Sequence, residues 1–282
     1  MQALTHVFYH ADMDGLATLY AHYHLCNKRI IAKPIQYGDL SCFEDVEAED
    51  NVVFLDFCPD RAIMGHIQPY GSVMFVDHHS GAKEKVEYAR QCPAVNYVYD
   101  PDAHGACQLL YSALGKEAPE VIKLVGDRDV WCLDDPRTEQ LHEFFMSLDI
   151  PVDTWGKWFD RFDWLLEPTN LAHACKVGEG LVKERDERVA AKAKEAKLYR
   201  ISGITEPVLG VEAEDDVSVL GNVLASVAGL GMVFRVVGNA VVLSFRSKDG
   251  HSALEAAKAL GGGGHGNAAG ATIGKWMIEE GS

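Results

Sequence analysis

The sequence predicts an α/β fold: a domain built on a mostly parallel sheet, a helical linker, and a smaller α+β domain at the C-terminal end. Three observations carry this. Short runs rich in Val and Phe alternate with helical patterns up to about residue 130. A polar stretch rich in Ala, Lys and Glu then occupies 178–200. Beyond it the texture changes to hairpin and glycine-rich segments. A length of 282 residues suits about two domains. The expected boundaries are 1–178, a linker over 179–200, and 201–282.

Taken in order, Val7-Phe8-Tyr9 ends in His10, Asn51–Phe57 reads NVVFLDF, Val73–Val76 precedes Asp77, and Ala94–Tyr99 precedes Asp100. Each run is short and nearly continuous in apolar residues, as strands covered on both faces are. Candidate helices cover Gly15–Cys26, Gly105–Leu114 and Pro119–Val125. Strands alternating with helices imply crossover connections and a parallel sheet. Leu133–Leu171 is helical, and its stripe of Trp155, Trp158, Phe159, Phe162 and Trp164 reads as core packing. The mixed charges of the linker read as a solvated face. In the last domain, Gly238-Asn239 between Val233–Val237 and Ala240–Phe245 signals a hairpin. Ser252–Leu260 follows as a helix, and Ala271–Glu279 as a strand.

With 26 Lys+Arg against 42 Asp+Glu, the formal charge is −16. That balance argues against gripping a long nucleic acid through its phosphates, which needs a basic surface, and leaves small polyanions open. Seven cysteines (26, 42, 58, 92, 107, 132 and 175) form no C-x-x-C pair, which fits neither a disulfide framework nor a thiolate zinc site and points to a reducing cytoplasm. Residues 1–15 show no signal-peptide pattern. The uncharged stretch Val217–Phe234 reads as a helix followed by a strand, so no membrane span is expected.

The chemistry lies where the acids fall. Asp12, Asp56, Asp77 and Asp100 all sit at or just past a strand end, where open α/β sheets bind ligands. His10-Ala11-Asp12-Met13-Asp14-Gly15 can converge His10, Asp12 and Asp14 from alternating positions. Asp77-His78-His79 ends one strand, and Asp127 and Asp129 follow a helix. A lone Asp after a strand is ordinarily a turn or helix cap. So many together repel one another unless divalent cations sit among them. Carboxylates with imidazoles and no thiolate suit manganese or magnesium, and two ions bridged by one carboxylate can hydrolyse a phosphate ester.

H-x-D-x-D-G, Asp56, Asp77-His78-His79 and Asp127, taken together, resemble the DHH phosphoesterases. The C-terminal GGGGHGNAAG resembles the signature of the DHH-associated domain in RecJ-like nucleases and nanoRNases. The resemblance runs from His10 to Gly270 in the family's order. It implies His10 and Asp12 on one metal, Asp14, His78 and Asp127 on the other, and Asp56 as the bridge. Asp127 is preferred to Asp129 from its distance to Trp131. Asp77 would orient a neighbouring imidazole, and His79 would face the scissile phosphate. His104, at a helix start, reads equally as an anion contact or a surface cap. Arg246, Gly262, Gly263, Gly264, His265 and Asn267 would hold the substrate.

The expected activity is therefore two-metal hydrolysis of a short oligonucleotide, a diribonucleotide foremost, to mononucleotides, with manganese ahead of magnesium. That expectation includes the linear products of cyclic dinucleotide breakdown, and no long duplex or membrane is expected as a partner. The alternatives are direct cyclic dinucleotide cleavage, and a phosphatase acting on 3′-phosphoadenosine 5′-phosphate, pyrophosphate or polyphosphate. A metal-free nucleotide sensor would have lost ligand positions, and all six are present.

Overall fold

The structure is a computed structural model that describes residues 4–26, 28–36, 43, 45–47, 49–67, 72–92, 95–248, 250–264 and 266–281. The chain divides into two compact units, Met1–Val182 and Lys183–Ser282.

In the first unit, β1 (Thr5–His10), α1 (Met13–Leu25), β2 (Ile31–Ile35), β3 (Asn51–Leu55), α2 (Arg61–Ile67), β4 (Ser72–Asp77), α3 (Lys83–Ala89) and β5 (Val95–Tyr99) build a five-stranded sheet in the order β2-β1-β3-β4-β5. Every neighbouring pair is parallel. Alternate side chains explain the unbroken apolar runs. Val7, Tyr9, Val53, Leu55 and Val76 join one core, and Phe8, Val52, Phe54, Val73 and Phe75 join another. The first core is closed by α1 and by α4 (Ala106–Ala113), α5 (Glu120–Asp129), α6 (Arg137–Met146) and α7 (Trp155–Leu165). The second takes Ile63 and Met64 of α2 with Val86 and Ala89 of α3. Trp158, Phe159 and Phe162 are buried in the first core, as the aromatic stripe predicts. Strand β2 escapes sequence reading because Lys33 and Pro34 interrupt it, which an edge strand tolerates.

Two boundaries differ from expectation. Helix α5 continues past Val125 to Asp129, so Asp127 and Asp129 lie on its last turn instead of after it. The stretch 179–200 is largely helical and mostly exposed, but it is not a separate element. Helix α8 (Pro168–Ala193) begins well before it, and Arg185 and Val189 are buried. Val189 packs with Val211, Leu220 and Leu224, because one apolar face in an otherwise charged helix is enough to dock it.

The second unit forms a mixed sheet from β6 (Lys197–Ile201), β7 (Val208–Glu212), β8 (Leu230–Val237), β9 (Ala240–Ser247), β10 (Gly263–Gly264), β11 (Ala268–Gly274) and β12 (Ile278–Glu280), with helices α9 (Val217–Ala228) and α10 (Ala253–Lys258). Its order is β10-β11-β9-β8-β7-β6-β12. Val217–Phe234 is helix α9 followed by β8, and among the described residues no helix is long and apolar enough to cross a membrane. The Gly238-Asn239 hairpin joins β8 to β9. The predicted last strand is split, because a single 3₁₀ turn at Lys275–Met277 sends β12 to pair with β6 while β11 pairs with β9.

Candidate metal centre

Strand order positions the site. The chain runs from β1 to β2 on one side and returns past β1 to β3 on the other, and crevices open at such switch points beyond the carboxyl ends of strands. His10 is the last residue of β1, and Asp56 follows β3. Asp12 caps α1 by accepting from Gly15 N at 2.9 Å. Gly15 is obligatory there, because a Cβ would lie 2.1 Å from the His10 carbonyl oxygen. Asp14, one residue earlier on α1, is buried, and its oxygens accept from Ala106 N at 2.7 Å and Cys107 N at 3.1 Å. The carboxylate thus also caps α4, where the helix dipole favours negative charge. Asp77 ends β4 and hands the chain to His78 and His79.

These elements converge on Asp56. His10 Nδ1 is 2.7 Å from Asp12 Oδ2 and 3.3 Å from Asp56 Oδ2. His78 Nε2 is 3.1 Å from Asp129 Oδ2, 3.4 Å from Asp56 Oδ1 and 3.5 Å from Asp14 Oδ2. His79 Nδ1 is 2.6 Å from Asp77 Oδ1, which also accepts the His79 backbone N–H at 3.1 Å. Two groups of potential ligands result, His10–Asp56–His79 and Asp14–Asp56–His78, each with its ligand atoms within 4.8 Å of one another. Asp56 belongs to both.

The centre is electrostatically unfinished. Asp56 Oδ1 and Oδ2, Asp77 Oδ2 and His78 Nε2 are buried without a hydrogen bond of acceptable geometry. Each such group costs about 1–3 kcal/mol. Asp56 also holds a φ of +55°, a left-handed conformation uncommon outside glycine and concentrated at functional sites. Burial, then the charge of Asp12, pushes the Asp56 carboxyl up. Burial, then Asp56 and Asp129, pushes Asp14 well up. Burial opposes charge on the imidazoles, but the carboxylates outweigh it. Asp12 and Asp56 push His10 up to about 11, and Asp129 and Asp56 push His78 up to about 12. Against the same burial, Asp77 and Asp56 push His79 up to about 9. The cluster demands positive charge. Each of the two groups has the donors needed to hold a metal ion, which would meet that demand.

Of the residues singled out in the sequence, His10, Asp12, Asp14, Asp56, Asp77, His78 and His79 come together here. Asp127 does not reach His78; Asp129 stands there instead. Asp127 Oδ1 lies 2.8 Å from His104 Nδ1 and accepts from Gln108 Nε2 at 3.1 Å. Asp100 closes a local turn by accepting from Asp102 N at 3.0 Å, the ordinary role of an Asp after a strand. Gly105 is a site residue the sequence did not reveal. At φ +114° it lies so close to Asp14 that a Cβ would sit 3.0 Å from Asp14 Oδ1.

In the second unit Arg246 is braced by Ser218 Oγ at 2.6 Å, the Phe245 carbonyl at 2.9 Å and Ser244 Oγ at 3.1 Å. Gly263 and Gly264 form β10 against β11. Gly262 and Gly264 owe their lack of a side chain to that packing, since a Cβ would lie 2.1 Å from the Gly270 carbonyl oxygen and 2.6 Å from that of Ala268, respectively. Gly263 has open space around it. Asn267 is exposed, and its carbonyl accepts from Ser247 N. His265 lies outside the described residues.

No protein-family model matches the sequence, and a search of curated proteins returns no match. Solved structures do share the fold. A pGpG-specific phosphodiesterase, PggH, from Vibrio cholerae is 13% identical over 97% of this chain and 94% of its own, with a TM-score of 0.52. An exopolyphosphatase-related protein from Bacteroides fragilis is 13% identical over 95% and 86%, with a TM-score of 0.51. CDC45 from Entamoeba histolytica is 8% identical over 98% and 93%, with a TM-score of 0.52. At these identities the likeness is one of fold.

Proposed function

We propose that this chain is a two-metal phosphoesterase of the DHH type that hydrolyses short oligonucleotides, diribonucleotides foremost, to mononucleotides. The observation that carries this reading is the sharing of buried Asp56 by two donor groups, with neither of its oxygens hydrogen-bonded. His10 and Asp12 would hold one ion, and Asp14, His78 and Asp129 the other, with Asp56 between. Manganese fits this mixed set ahead of magnesium, since the imidazoles add nitrogen donors. When bound, such ions acidify a water and offset charge on the phosphoryl oxygens.

The chain's own residues do the rest. Asp77, held against His79 Nδ1, fixes that ring and favours its doubly protonated form, in which the other ring nitrogen donates to the phosphate. Ala106 N and Cys107 N hold Asp14 in place, and Gly105, having no side chain, leaves room for it. The resemblance gives Arg246, Gly262–Gly264, His265 and Asn267 the task of holding the nucleotide, for which an arginine fork is suited.

The charge of −16 favours small substrates over long strands. The Vibrio protein of the same fold, specific for pGpG, supports a linear dinucleotide. The Bacteroides protein supports a second reading, hydrolysis of polyphosphate or pyrophosphate. Manganese-loaded protein offered pGpG, a cyclic dinucleotide, a long single strand and pyrophosphate separates them. The linear dinucleotide is expected to turn over fastest, and fastest turnover of pyrophosphate would overturn the choice.

A further inference from the structure

The last turn of α5 serves two sets of donors. Asp129 goes to His78, while Asp127 lies with His104 and Cys132, one ligand atom of each within 4.8 Å of the others. We propose that His104, Asp127 and Cys132 form a separate binding site for a borderline-soft divalent cation of the zinc class. The site goes beyond the phosphoesterase reading and does not depend on it.

Donor chemistry distinguishes it from the Asp56 centre. One imidazole, one carboxylate and one thiolate suit a four-coordinate zinc with one position left open, whereas the donor groups around Asp56 offer only oxygen and nitrogen. The three donors are held ready. His104 Nδ1 is already 2.8 Å from Asp127 Oδ1. Gln108 Nε2 donates to that same oxygen at 3.1 Å and to the Lys123 carbonyl at 2.9 Å, fixing the carboxylate from behind as outer partners of metal ligands do. Gly126 lets the His104 segment lie directly on α5, since a Cβ there would sit 1.9 Å from the His104 carbonyl oxygen. Trp131, at φ +59°, turns the chain so that Cys132 N donates to the Asp127 carbonyl at 2.8 Å. His104 is exposed and Cys132 half-buried, so an ion can enter from solvent. As the sulfur–metal bond forms, the thiol proton of Cys132 passes to water, with no change of oxidation state.

Cobalt(II) added to the full chain, with manganese in excess to fill the harder centre, reads this directly. A sulfur-to-cobalt charge-transfer band is expected in the wild type and in Asp56→Asn, is lost in Cys132→Ser, and is lost or shifted in His104→Ala. Zinc should remove the band by competition, with an affinity roughly tenfold weaker in Gln108→Ala. Circular dichroism checks that each variant folds. No band in the wild type, or a band that survives Cys132→Ser, would overturn the site. Should Cys132→Ser not fold, an unchanged band in His104→Ala overturns it equally.

Discussion

At the carboxyl ends of β1, β3 and β4 the first unit buries Asp56, Asp77 and His78 alongside Asp14, whereas the buried polar side chains among the described residues of the second unit are Arg185 and Ser247. Those of the second unit are answered. Ser247 Oγ accepts from Ala253 N at 2.9 Å, and Arg185 donates to Asp186. Around Asp56 several buried atoms have no hydrogen bond, and the backbone is held left-handed. Four such atoms, Asp56 Oδ1 and Oδ2, Asp77 Oδ2 and His78 Nε2, lie in this one cluster. Buried polar atoms without hydrogen bonds and a left-handed backbone both cost stability, and they coincide at the candidate centre.

The sharpest way to break that contrast is Asp56→Asn, which keeps the side-chain shape and tolerates the left-handed backbone. Manganese-dependent turnover should fall roughly a thousandfold, while the urea midpoint of the metal-free protein rises, since a buried charge is removed. Unchanged turnover would sink the bridging role. Next is His22, buried in α1, whose imidazole burial pushes down to about 4. Its folded-state value lies below the unfolded one of about 6.5, so the unfolded chain binds the extra proton between them. The stability it protects is whole above that value and is lost as pH falls from about 6.5 to 4, by order 3 kcal/mol. Denaturant midpoints across that window should flatten in His22→Leu.

A paired glycine test follows. Gly105→Ala, with its Cβ forced to 2.8 Å from Gly126 Cα, should cost about 2 kcal/mol or more. Gly263→Ala, in open space, should cost well under about 1 kcal/mol by thermal melting. After these comes Arg246→Lys. If the guanidinium holds nucleotide, KM should rise about tenfold with kcat little changed. If it only braces β9 against Ser218 of α9, stability will drop with KM unmoved.

Much of this was legible because it is local. A Val- and Phe-rich run ending in an acid places that acid at a strand end whatever the rest of the chain does, and His10, Asp12, Asp14, Asp56, Asp77, His78 and His79 all gathered on that logic. The left-handed turn at Asp56 was not legible, since no neighbouring glycine or proline announces it. Nor was the close approach of Gly105 to Asp14, because ninety residues of chain separate them (positions 14 and 105).

The order of residues alone determined the parallel sheet and the acids at its rim, because side-chain alternation and strand-end position are properties of short segments. Which of Asp127 and Asp129 joins His78 was decided only by tertiary structure. Two positions apart on a helix, they point about 200° away from each other. The packing of Val121, Ile122, Leu124 and Val125 into the core sets how α5 is turned about its own axis, and that rotation delivers Asp129 to His78 and leaves Asp127 to His104.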